Sequence, residues 1–189
     1  TSHGLAFVGN SLFSTDDRLG VPRAFISRWA LEADGLEEAM ARVCHPLRST
    51  GCNNLWGDVS GRLVDVETSA TQASVVEAQE WYAHTNHYTC ESMSRVEASL
   101  GTESRRRLAR AEMLLAEGVA RGDDPLELVA RVLSDHANAP DSICSHVSDD
   151  DHPGMSTVTV GSMICDLDNG RLHACVGAPC SNPYRTFGL

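Results

Sequence analysis

The stretch Tyr82-Ala83-His84-Thr85-Asn86-His87-Tyr88-Thr89-Cys90 sets two histidines, an asparagine, four hydroxyls and a thiol side by side. No apolar periodicity accounts for these polar groups, so they belong to a surface hairpin or to a functional site. The residues before them alternate with period two. Leu55 and Val59, then Leu63-Val64-Asp65-Val66-Glu67, then Ala73-Ser74-Val75-Val76-Glu77 read as three short strands, with a turn at Asp58-Val59-Ser60-Gly61-Arg62. The quoted stretch then continues an antiparallel meander as a fourth strand from Trp81.

Outward from this meander the period changes. On the N-terminal side, Leu5 to Leu12 reads as a strand. Pro22 opens a helix with Phe25, Ile26, Trp29, Ala30 and Ala33 on its inner face. Asp34 with Glu37 makes a capping-box start for a second helix carrying Leu36, Met40 and Val43. On the C-terminal side, Thr102 to Val119 is a helix with Leu108, Ala111, Leu115 and Val119 inward. Asp124-Pro125-Leu126-Glu127 starts another, with Leu126, Val129, Ala130 and Leu133 as its apolar face. A polar loop from His136 to Met155 holds Asp149-Asp150-Asp151, read as solvated. The hairpin Thr157–Leu167 and Arg171–Val176 turns at Asn169-Gly170. Segregated runs of strands and helices imply an α+β fold with antiparallel sheet, and residues 1–189 read as a single domain.

Composition narrows the function. A formal charge of −11 argues against a nucleic-acid partner, and no apolar run reaches membrane-spanning length. All fifteen basic residues are arginine, which removes Schiff-base lysine chemistry. Seven cysteines without a CxxC pair read as reduced thiols, with Cys44, Cys165 and Cys175 buried, in a cytoplasmic protein. The chain opens without Met on a strand already under way, so a preceding segment is expected.

Three constellations could carry chemistry. His84-x-x-His87-x-x-Cys90 has metal-ligand residue types, but on a strand residues three apart face opposite ways, and no metal is expected there. Thr1 could act as an N-terminal nucleophile only if it were a mature terminus. Arg107 borders the apolar stripe of its helix and needs an anionic or carbonyl partner, as a structural ion pair or as part of a site.

His84-Thr85-Asn86-His87, Ser104-x-x-Arg107-x-x-Arg110 and Pro140-x-Ser142-Ile143-Cys144 together resemble the acyl-coenzyme A:6-aminopenicillanic acid acyltransferase (isopenicillin N acyltransferase) family of cysteine acyltransferases and peptidases. The resemblance runs from Ser2-x-Gly4-Leu5-Ala6 to Gly177-Ala178-Pro179-Cys180. It implies an N-terminal-nucleophile hydrolase αββα sandwich of antiparallel sheets with helical layers. It also implies a precursor that cleaves itself to expose a nucleophilic cysteine, which takes an acyl group and passes it to an amine or to water. Asn86 matches the oxyanion donor, Arg107 the arginine near the nucleophile, and Asn10 an asparagine of the early strand. His84 and His87 are read as hydrogen-bonded scaffold.

None of the seven cysteines matches the family nucleophile. The chain is therefore expected to be the C-terminal portion of the enzyme, inactive without its own N-terminal segment. Its other partners would be a small-molecule acyl donor and an amine acceptor, with acyl-CoA as a substrate and no cofactor. Alternatives are an N-acyl amide or peptide amidohydrolase of the same family, and a non-catalytic ligand- or metal-binding domain.

Overall fold

The computed structural model describes residues 1–98, 101–147 and 157–188. The Asp149–Asp151 run lies outside them. The chain forms two compact units, Thr1–Gly101 and Thr102–Leu189.

In the first unit, β1 (Leu5–Ser11), β2 (Cys52–Asp58), β3 (Leu63–Thr68) and β4 (Ala73–Ala78) make one antiparallel sheet in the order β1-β2-β3-β4. Helices α1 (Arg23–Ala30) and α2 (Leu36–Val43) cover one face of it. The period-two pattern fixes which side chains meet them. Phe7, Trp56 and Val64 lie in register across three strands, and Phe7 stacks on Trp56 with ring centroids 4.8 Å apart. Trp56, Val64 and Val66 pack with Ala30, Ala33, Leu36, Ala39 and Val43. Burial of these side chains drives the unit's folding, at roughly 1.5–3 kcal/mol for each large one.

Four expectations change. Trp81 to Cys90 forms no strand, and the fourth place in the sheet belongs to β1. The polar groups of that stretch bond to a buried carboxylate instead of a ladder, so the segment crosses a sheet face. Asp34 does not cap α2; Gly35 occupies the N-cap, and the Asp34 backbone N–H donates to Glu38 while Glu37 reaches Arg62. In α1, Ile26 and Ala30 are buried whereas Phe25 and Trp29 are exposed, because an eight-residue helix turns only a narrow stripe to the sheet. Cys44 and Cys165 are half-buried, and only Cys175 of the three is buried.

A second small core of Leu12, Tyr88, Met93 and Val96 anchors the end of the crossing segment, followed by a 3-10 turn over Glu91–Val96. The Tyr88 hydroxyl donates to the Thr68 carbonyl (2.9 Å). Gly51 sits beneath this bond, where a Cβ would fall 2.5 Å from the Tyr88 oxygen and 2.8 Å from the Thr68 oxygen. Gly51→Ala is therefore expected to destabilise the unit by about 1–3 kcal/mol. All three tryptophans (Trp29, Trp56, Trp81) lie in this unit, so fluorescence-detected urea unfolding reads the change directly. An unchanged midpoint would show that the close approach has no energetic weight.

The second unit carries α3 (Thr102–Arg121), α4 (Pro125–Leu133) and an antiparallel sheet of β5 (Gly161–Asp166), β6 (Arg171–Val176) and β7 (Arg185–Gly188). Asp124 caps α4 by accepting from the Glu127 N–H (3.0 Å), with Pro125 at the first helical position. The inner stripes are shifted from those expected. Ser104, Leu108, Ala111, Leu114 and Gly118 are buried on α3, and Leu128 and Val132 on α4. Gly118 causes the shift, because its bare backbone admits the Leu128 side chain and draws the contact line to its own side of the helix. Among the described residues no helix is long and apolar enough to cross a membrane.

Candidate active site

Alternation in β3 sends Val64 and Val66 to the helices and Asp65 and Glu67 to the opposite face. An acidic second face ordinarily meets water, yet both carboxylates here are fully buried. The segment from Tyr82 to Cys90 covers them. Glu67 Oε1 accepts from His84 Nε2 (2.8 Å), the Thr89 N–H (2.5 Å) and the Thr89 hydroxyl (2.6 Å), and Oε2 accepts from the Cys90 N–H (3.1 Å). Burial alone would raise the Glu67 carboxyl. The hydrogen bonds from His84, Thr89 and Cys90 outweigh it and hold the group at about 2. Asp65 has fewer donors. Burial pushes it up to about 6, against the Asn53 amide and the nearby His84.

The same face carries asparagines. Strand register aligns Asn10, Asn53, Glu67 and Ser74 in one row, and Val8, Leu55, Asp65 and Val76 in the next. The Asn53 amide donates to Asp65. Asn53 Oδ1 and Asp65 Oδ2 are buried without a partner, which is unusual for polar atoms inside a protein. Asn86 closes the row: its Nδ2 donates to the Ser11 carbonyl (3.2 Å), one residue beyond Asn10. Asn10 and Asn86 therefore lie toward the same end of β1, both half-buried.

Arg107 belongs to the second unit, half-buried on α3 next to Leu108. Arg110, one turn on, clasps Asp135 with two bonds (3.0 and 2.6 Å).

The residues named for a metal diverge. His84 turns its ring to Glu67 and to the Thr85 carbonyl (2.6 Å), and His87 Nδ1 lies 3.2 Å from the Thr85 hydroxyl. The groups close to His84 are Asp65 and Glu67, not His87 and Cys90. Among the described residues no thiol beside these carboxylates is activated: burial pushes the Cys90 thiol up, the wrong direction for a nucleophile. Sequence reasoning missed Asn53, Asp65 and Glu67, although two acidic residues on alternate positions facing a polar histidine-rich stretch were there to be read.

A profile of the acyl-coenzyme A:6-aminopenicillanic acid acyl-transferase family matches residues 2–180. The chain belongs to that family. No curated protein matches it in sequence. Among solved structures it is similar to the conjugated bile acid hydrolase from Clostridium perfringens, with a TM-score of 0.59 at 11% identity, over 99% of this chain and 75% of that one. At such identity the likeness is one of fold, and it bears out the expected α+β fold of the N-terminal-nucleophile hydrolase type. The acyl-transferase family and the similar structure are both enzymes.

Proposed function

We propose that this chain supplies the oxyanion-stabilising part of an acyltransferase that works through an acyl-cysteine. The observation that carries the reading is Asn86, a carboxamide pinned to the Ser11 carbonyl beside Asn10, above buried carboxylates that hold its loop still. The Ser11 bond fixes the plane of the group, as a preorganised donor requires.

In this mechanism a cysteine of the preceding segment, exposed by autoproteolysis, attacks the acyl carbonyl of a thioester or amide. A C–S bond forms, and negative charge gathers on the carbonyl oxygen, where Asn86 donates. Collapse expels the donor's thiol or amine, which leaves with a proton returned from the new N-terminal amine. An acceptor amine then attacks the acyl-cysteine, the C–S bond breaks, and the amine's proton passes to the N-terminal amine. Asn10 supports the donor end of β1. The thiols stay reduced in the cytoplasm.

A second reading, hydrolysis, differs only in whether water or an amine reaches the acyl-cysteine, and the likeness in fold to a hydrolase favours keeping it. Intact-mass analysis of the full-length gene product tests the mechanism. A new peptide beginning with cysteine, blocked by iodoacetamide together with activity, is the expected result. Activity in a product that is never cleaved would overturn it. Product mass spectra from acyl-CoA with and without an amine separate transfer from hydrolysis.

A further inference from the structure

We infer that the second unit holds a structural zinc ion between His136, Cys144, His146 and Cys180. This inference is independent of the acyl-transfer reading. The four side chains come from two parts of the chain: three from the loop after α4, with His136 at its start and Cys144 and His146 further along, and Cys180 from the turn after β6. Their ligand atoms all lie within 4.8 Å of one another. His136 Nε2 is 3.0 Å from His146 Nε2, and His146 Nε2 is 3.6 Å from Cys144 Sγ and 3.3 Å from Cys180 Sγ.

Those separations are the signature of a shared centre. A tetrahedron with Zn–N of about 2.0–2.1 Å and Zn–S of about 2.3 Å sets its donor atoms roughly 3.3–3.8 Å apart. The distances from His146 Nε2 to the two sulfurs, 3.6 and 3.3 Å, match that edge length, and the His136–His146 separation of 3.0 Å is slightly shorter than it. Two nitrogens and two sulfurs select zinc among the common ions, since hard cations want oxygen; a Rieske-type iron–sulfur cluster also takes two Cys and two His but splits them between two irons, whereas here all four ligand atoms converge within 4.8 Å. Four protein ligands leave no open position, which makes the site structural and not catalytic.

The surroundings are built to hold the ligands. The Cys144 N–H donates to the Asp135 carbonyl (2.9 Å), and the Ser142 hydroxyl to the Cys144 carbonyl (2.7 Å). The Asp135 side chain accepts from Arg110 and from the Ala137 N–H (2.9 Å), fixing the backbone on both sides of His136. At the other ligand, the Asn182 amide donates to the Ala178 carbonyl (2.9 Å) and shapes the turn that presents Cys180. Cys144 is fully buried at the base, while His136, His146 and Cys180 are exposed, so the ion can enter from solvent.

Purifying the chain without chelators and measuring zinc by mass spectrometry should give one equivalent. Replacement by cobalt should give intense visible bands of a tetrahedral ion and a near-ultraviolet thiolate charge-transfer band. His136→Ala, at an exposed position, should weaken binding by more than the ~10–100-fold that loss of an outer partner costs. His84→Ala should leave the stoichiometry at one. Weak octahedral cobalt bands in the wild-type chain would overturn the inference without any variant. So would a Cys144–Cys180 disulfide in non-reducing peptide maps, or zinc lost in His84→Ala and kept in His136→Ala.

Discussion

In the full-length gene product, Asn86→Ala should lower turnover by about two to three orders of magnitude, the usual cost of one oxyanion donor. The loss should fall on kcat with little change in KM, because the charge it answers exists only in the transition state. Asn86→Asp is a sharper variant. It keeps the shape but sets a carboxylate where negative charge develops, and it should be no better than alanine. The Ser11 bond offers an internal control: if the side chain only braced the loop, both variants would shift the urea midpoint of tryptophan fluorescence and leave kcat of the folded fraction intact. Unchanged turnover would remove Asn86 from the chemistry.

The second large effect concerns pH and the two buried carboxylates. Glu67 is held at about 2 against an ordinary 4.5, so it adds stability that is complete above pH 4.5 and is lost as pH falls toward 2. A displacement of that size corresponds to on the order of 3 kcal/mol. Asp65 acts in the opposite sense. Its pKa near 6 means that the folded unit keeps a proton which the unfolded chain releases near 3.8, so stability falls as pH rises from about 4 to 6. Together the pair gives the first unit a stability maximum at about pH 4, between the two unfolded-state values. Glu67→Gln should remove the acid limb and cost about 3 kcal/mol at neutral pH, since it turns a charged acceptor of four hydrogen bonds into a group that must donate as well. Asp65→Asn should flatten the other limb, with Asn53 still finding an oxygen to donate to. Urea titrations followed by tryptophan fluorescence from pH 3 to 8 check both, and a wild-type midpoint that rises steadily through pH 4–6 would contradict the Asp65 assignment.

Much of this fold could be read from periodicity, and the site much less. The alternation in Leu63 to Glu67 located β3, and Asn169-Gly170 located the hairpin of β5 and β6. The same alternation hid the site. Period two says which residues share a face, but it cannot say what covers that face, so nothing in the alternation marks Asp65 and Glu67 as buried. The Tyr82–Cys90 stretch was misread as a strand for the matching reason: its partner is a side chain on β3, invisible to local pattern. His136, Cys144, His146 and Cys180 were missed because their spacing is irregular and the fourth follows the third by 34 residues. Asn86 was reached only through resemblance, since nothing in its own spacing distinguishes it from a turn asparagine.

The bonds from Thr89 and Cys90 to Glu67 bear on how substrate arrives. A segment with no regular structure would ordinarily open and close on its own, at little free-energy cost. Here the backbone amides of two consecutive residues, a hydroxyl and an imidazole all end on one carboxylate buried in β3. The segment can lift away only by stranding that charge in the interior, so it shares the opening free energy of the sheet beneath it. Asn86 is thus carried on a wall, and in the proposed reaction a substrate would meet a donor that does not step aside to admit it.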